Sequence, residues 1–262
     1  MFRSAPPRSR LAGKIERALN TLLGGDSRVV IDAKASELLA EAGSVAPVIS
    51  NAMDHAGPGL AGQITVIQAF RRSGLESGLL DSLGDPDPTV RVAGARLCAA
   101  LRLPDAVPFL IELLDDRDPA VREVAIRSLG RIGGRRAVDA LMAHADTLPR
   151  HRVVKELSRA ASDIDLETLL RDTVNAKTTV NVLIASGLRG DALRAPLIVR
   201  MAQDRQCETE VRVAACRALA MIGDPAGADA MRLLASDPDA SVKSAAVRAR
   251  MRISATMRRL AG

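Results

Sequence analysis

A short pattern returns along this chain about every 31 residues: Asp87-Pro88-Thr89-Val90-Arg91, Asp118-Pro119-Ala120-Val121-Arg122, Glu208-Thr209-Glu210-Val211-Arg212 and Asp239-Ala240-Ser241-Val242-Lys243. A fixed period of this size predicts stacked supersecondary units, none of which buries its apolar face alone. Such a chain builds one long surface in place of an enclosed pocket. That points to binding, and the pattern by itself names no partner.

Taking the apolar residue that opens each first helix as an anchor gives Ile31, Ala61, Val90, Val121, Val153, Val180, Val211 and Val242, which predicts about eight units. From Val121 the apolar residues Ala125, Leu129 and Ile132 follow at steps of four, four and three, the spacing of one helical face. Val211, Ala215, Leu219 and Ile222 repeat it, and Gly133 and Gly223 stand where a helix C-terminus favours a left-handed residue. A second helix is read from Ala106 to Leu114, with Val107, Leu110 and Leu114 on one face and Pro108 in the first turn, where its missing donor is harmless. Pro47 and Pro196 are expected to open helices in the same way. Ala125, Ala215 and Gly94 put small side chains in mid-helix, where neighbouring helices approach closely. Arg250 stands at a position that is apolar in other units, which predicts a polar-faced cap.

Composition agrees with an all-α chain. Aliphatic residues and Ala dominate, while Trp and Tyr are absent and Phe occurs three times, a mix suited to helix packing and poor for strands. No apolar run approaches the ~20 residues of a spanning helix. Cys98, Cys207 and Cys216 show neither a disulfide framework nor zinc-ligand spacing, so the expected compartment is the cytoplasm, with no metal and no cofactor. Cys98 matches Leu129 and Leu219 in register and reads as a small buried hydrophobe. His55, His144 and His151 sit in no ligand or nucleophile pattern.

The net charge of +6 belongs to the ends. Residues 1–17 and 243–262 together carry +10, which leaves −4 between them and argues against a nucleic-acid groove along the repeats. The expected layout is a flexible basic segment over residues 1–17, a solenoid over 18–253 and a basic end over 254–262.

Asp-Pro-x-Val-Arg followed by Ala, Leu-Gly and Ile-Gly, as in Asp118 through Gly133, resembles the HEAT repeat, most nearly the subgroup called phycobilisome-lyase HEAT-like repeats. The specific motifs cover about residues 75–145 and 205–253. The resemblance implies an α-solenoid, a HEAT-like superhelix whose second helices line a concave side that commonly binds proteins. It also implies two other readings for a minority of such chains: a lyase-like or chaperone-like accessory to a modifying enzyme, and a nucleic-acid binder.

Three residue sets are candidates for function. Asp87 with Arg91, Asp118 with Arg122, Glu208 with Arg212 and Asp239 with Lys243 recur in register and read as a structural charge ladder, each pair one helical turn apart and able to bridge adjacent units. Residues 145–182 lose the Asp-Pro and Val-Arg signals, and their polar residues Arg150, His151, Arg152, Lys155, Asn175, Lys177 and Asn181 are expected to form a partner footprint, since departures from a local rule often mark functional sites. Arg248, Arg250, Arg252, Arg258 and Arg259 form a basic end suited to anionic lipid, nucleic acid or an acidic protein. The favoured reading is a monomeric, non-catalytic scaffold or adaptor that binds a protein with an acidic patch.

Overall fold

The computed structural model describes residues 9–56, 60–160, 168, 170 and 175–260, and every regular element among them is helical. None of these helices is long and apolar enough to cross a membrane. The chain divides into two compact units, Met1–Ile132 and Gly133–Gly262.

In the first unit, α1 (Arg10–Leu23) buries Ala12, Ile15, Leu19 and Leu22 along one face, and the Ser9 hydroxyl accepts from the Ala12 amide at 3.0 Å. The expected flexible segment over 1–17 is thus corrected in its second half: residues 10–17 begin a packed helix, because their apolar residues recur at helical spacing. Residues 1–8 lie outside the described residues. Next come α2 (Ala35–Ala40), α3 (Ala42–His55), α4 (Leu60–Arg72), α5 (Leu75–Asp81), α6 (Pro88–Ala100), α7 (Val107–Glu112) and α8 (Pro119–Ile132). Helices α1, α3, α6 and α8 pack one on the next as a row, with α5 against α6 and α7 against α8.

Two early anchors are corrected. Ile31 is buried but non-helical, its amide held by the Ser73 hydroxyl at 2.8 Å, and Ala61 belongs to α4, outside the row. The row member before α6 is α3, which has its own apolar face in Val45, Ile49 and Met53. Pro47 lies inside α3, which opens at Ala42. The second helix expected over 106–114 is a short α7 flanked by 3-10 turns at Pro104–Ala106 and Leu113–Asp115.

The second unit holds α9 (Arg135–Ala143), α10 (Arg150–Ala160), α11 (Ala176–Arg189), α12 (Ala195–Gln203), α13 (Thr209–Ile222), α14 (Pro225–Leu234) and α15 (Ala240–Leu260). Here α10, α11, α13 and α15 form the row, with α9 behind α10, α12 behind α13 and α14 behind α15. The anchors Val153, Val180, Val211 and Val242 are all buried. Gly190 and Gly223 close α11 and α13 at φ of 68° and 74°, a left-handed conformation that strains any residue with a Cβ. Helix α15 continues unbroken to Leu260, so residues 254–260 extend the last repeat helix, while 261–262 lie outside the described residues. Arg250 is exposed at the register position where Cys98, Leu129 and Leu219 are fully buried.

Glycines allow two close approaches, α6 to the turn after α5 and α11 to its row neighbour α13. A Cβ on Gly94 of α6 would stand 2.0 Å from the Ser82 hydroxyl, and one on Gly187 of α11 would stand 2.9 Å from the Ala218 backbone of α13. Gly43, by contrast, has open space around it. We therefore expect Gly187→Leu to lower unfolding free energy by roughly 1–3 kcal/mol through overpacking. Gly43→Ala should leave it unchanged or raise it by a few tenths of a kcal/mol. Urea unfolding of the three proteins checks both.

Candidate functional site

Arginine occupies two register positions in the row helices, and the two face opposite surroundings. The first is the Arg of the Val-Arg signal. Arg91 donates from Nε and Nη2 to both carboxylate oxygens of Asp116 at 2.8 Å, and its Nη1 donates to the Asp85 and Pro86 carbonyls at 2.8 and 3.0 Å. Arg212 grips Asp237 in the same way, with Nη1 and Nη2 at 3.3 and 2.5 Å, while its Nε donates to the Ala202 carbonyl at 3.0 Å. The Arg212 and Asp237 side chains are only 6% and 4% exposed. Arg122 donates to the carbonyls of its own turn, Asp116 and Arg117, at 2.7 and 3.1 Å.

The ladder does join neighbouring repeats, but its pairing differs from the expected one. Each Asp-x-Asp turn divides two tasks between its carboxylates. Asp116 and Asp237 accept the preceding repeat's arginine and also the amides of Asp118 and Asp239, at 2.8 and 3.0 Å. Asp87, Asp118 and Asp239 cap the helix that follows, accepting from the amides of Thr89, Ala120 and Ser241 at 2.8, 2.7 and 2.8 Å. Four-residue spacing suggested Asp87 with Arg91, yet the amide of Thr89 is nearer and claims the carboxylate. Glu208 makes no side-chain cap bond, its longer side chain being poorly suited to the task, and Lys243 is exposed. The Arg212 guanidinium holds the Asp237 carboxyl below its ordinary value against the opposing effect of desolvation.

Within the expected central footprint, Asn181 is 3% exposed and accepts from Arg150 Nε at 3.1 Å, so it is an interior support and not a surface contact. It stands where other repeats carry the buried arginine, and a shorter polar side chain there is reached from a different helix. Asn175 caps α11 by accepting from the Lys177 amide at 2.8 Å, and Lys177 Nζ lies 3.1 Å from Asp146. His151 and Lys155 are exposed and Arg152 half-buried. Arg252, Arg258 and Arg259 are exposed along the last turns of α15.

The second arginine position lies six residues after the anchor. Arg96, Arg127, Arg159, Arg217 and Arg248 occupy it, and all five are exposed. Arg127 and Arg159 pair with Glu123 and Glu156 of their own helices at 3.4 and 3.2 Å. Arg96 lines an open groove of about 800 Å³ in the first unit, beside Leu39, Gly43, Val92, Asp85 and Asp118. Arg150, Arg217 and Arg248 line a second, of about 590 Å³, in the second unit, with Val180, Val213, Ala214, Glu210 and several hydroxyls. One residue of the central footprint and one of the basic end thus share a groove along the row helices. Sequence reasoning missed Arg217, Thr209, Glu210, Ser241 and Ser244. A second period, visible when the arginines are counted from each anchor, was the available signal.

The family model for HEAT repeats matches residues 76–162 and 165–251. The chain belongs to the HEAT-repeat family. No curated protein matches it. Among solved structures it is similar to human deoxyhypusine hydroxylase in complex with glycerol, at 18% identity over 93% of this chain and 97% of that one, with a TM-score of 0.37. The complex of CpcE and CpcF of phycocyanin lyase from Nostoc sp. PCC7120 is similar at 17% identity over 99% of this chain and 98% of that one, TM-score 0.37. An engineered protein is similar at 21% identity over 92% and 96% of the two chains, TM-score 0.30.

In this HEAT-repeat chain the two arginine positions separate structure from surface. Removing the carboxylate of the buried pair with Asp237→Ala leaves the Arg212 charge uncompensated, and the expected cost is about 3–5 kcal/mol at neutral pH. The Asp237 carboxyl titrates lower folded than unfolded, so its contribution is present above the unfolded value of about 3.9 and is lost as pH falls through the folded one. The stability gap between wild type and Asp237→Ala should therefore narrow as pH falls below about 4. Denaturant titrations across that range check it.

Proposed function

We propose that this protein is a non-catalytic interaction scaffold that engages a partner protein through the exposed faces of its row helices. Membership in a repeat family built of stacked helices supports a binding role. The observation that carries the reading is the exposed arginine series. Arg96 and Arg217 have no hydrogen bond or ion pair among the described residues, yet each stands at the same place in its repeat and lines an open groove. The inner arginines explain themselves through the turns they clamp, whereas the guanidinium groups of these two clamp nothing among the described residues. Arginine is among the side chains most often found at binding hot spots, and with no Trp or Tyr in the chain it is the leading anchor.

The proposed compartment is the cytoplasm. Cys98 and Cys216 are buried free thiols, with burial pushing them up to about 12 and about 11, and a reducing environment preserves that state. Arg96→Glu with Arg217→Glu should keep the wild-type unfolding midpoint. Affinity capture of the full chain from its native cell should then recover at least about fivefold less of the wild-type partner, the loss of about one hot-spot contact. Equal recovery by the two proteins contradicts the reading.

A further inference from the structure

The groove of the second unit has a charge pattern that selects one kind of occupant. Its cations come from three different helices: Arg150 from α10, Arg217 from α13 and Arg248 from α15. Helices α13 and α15 pack on each other, and Arg217 and Arg248 hold the same register position on them. Packed helices lie about 8–10 Å apart, so the two guanidinium groups are offset by roughly that distance. A chain extended in the polyproline II conformation advances about 3.1 Å per residue with about three residues per turn, so side chains three apart share one face and cover the same span.

On the other side of α13 the series changes. Helix α11 carries Ser186 at the register position, fully buried, with its hydroxyl donating to the Val182 carbonyl at 3.0 Å. No arginine comes from that helix. Arg150 takes its place in the groove, and the buried Asn181 of α11 holds its Nε. The irregular repeat thereby restores a cation that its own register position lacks. Arg248 is steadied likewise, its Nη1 donating to the Ser244 hydroxyl. The rest of the lining mixes the hydroxyls of Thr209, Ser241 and Ser244 with the small apolar residues Val180, Val213 and Ala214.

We propose that this groove binds an extended acidic segment of the partner protein, with carboxylates recurring at every third position and small or apolar residues between them. The assignment rests on the scaffold reading and specifies the chemistry of its partner. The planar guanidinium fork matches a carboxylate with two parallel hydrogen bonds. Glu210 also lines the groove and would repel a continuous phosphate track, whereas a peptide with spaced carboxylates can set an uncharged residue against it, and a chain without Trp or Tyr lacks the usual base-stacking platform.

The test uses the full chain and fluorescence anisotropy with three labelled probes. They are a peptide with Glu at every third position separated by Ser, Ala and Val, a peptide of identical composition with its Glu residues grouped at one end, and a single-stranded oligonucleotide of equal charge. The spaced peptide should bind about tenfold or more tightly than either other probe, and its binding should weaken as salt rises. Arg217→Gln with Arg248→Gln should reduce its affinity by about tenfold, while circular dichroism and the unfolding midpoint stay at wild-type values. Equal binding of spaced and grouped peptides overturns the proposal. So does an oligonucleotide that binds as tightly, or a double variant that binds as wild type does. Partner capture that survives Arg217→Gln with Arg248→Gln but is lost with Arg96→Glu and Arg217→Glu sinks the groove assignment and leaves the scaffold reading standing.

Discussion

At two places, Arg91 to Asp116 and Arg212 to Asp237, one repeat is tied to the next by an arginine that reaches across to the first aspartate of the following turn. Arg212 does so almost wholly out of water, with Asp237 accepting both guanidinium donors and the Ala202 carbonyl taking a third. A charge pair that deep is tolerated because its lone pairs and protons are nearly all engaged, so breaking it costs more than its formation contributes. The bond also fixes register. It joins the start of one row helix to the turn that starts the next, which sets how far consecutive helices are displaced along their axes. Gly187 then decides how closely α11 and α13 approach, and Gly94 how closely α6 approaches the turn that follows α5.

Once the inner arginines hold register, the outer ones are free to serve a different purpose. Six residues after the anchors Val90, Val211 and Val242 the row helix has turned far enough to point away from the stack, and there Arg96, Arg217 and Arg248 line open grooves. The same residue type thus does opposite jobs a few residues apart. What separates them is burial and partner: carboxylate and carbonyl oxygens surround Arg212, while Arg217 is exposed in an open groove. On α13 and α15, which the Arg212–Asp237 bond ties together, the outer arginines Arg217 and Arg248 share a register position and line one groove, which is how a structural bond shapes a binding surface.

Much of the fold was legible in the sequence because the features that set it are local. Val121, Val153, Val180, Val211 and Val242 are buried, as the period requires, and Cys98 sits with Leu129 and Leu219 in the core. The N-terminal anchors failed because Ile31 is apolar at the right spacing but lies buried in a non-helical segment, and a period counts positions without knowing which helix carries them. The charge ladder was read with the wrong partners for a related reason: four-residue spacing favours Asp87 with Arg91, while the decisive contact to Asp116 lies in the next repeat. Asn181 stood out as an irregularity, but only the structure shows it buried beneath Arg150. The groove residues were hidden since Arg150 and Arg248 are far apart in the chain and meet only through the packing of the row.

Neighbouring arginines of one helix divide stability from binding, and paired substitutions on α13 put that division to the test. Unfolding midpoint and affinity for the spaced acidic peptide would be measured side by side for Arg212→Gln and Arg217→Gln. The account predicts that Arg212→Gln lowers the midpoint by several degrees, as a loss of a few kcal/mol does in a chain of this size, while the fraction that remains folded binds the peptide as wild type does. It predicts the reverse for Arg217→Gln, an unchanged midpoint with weakened binding. Equal effects of the two substitutions on both quantities would contradict it.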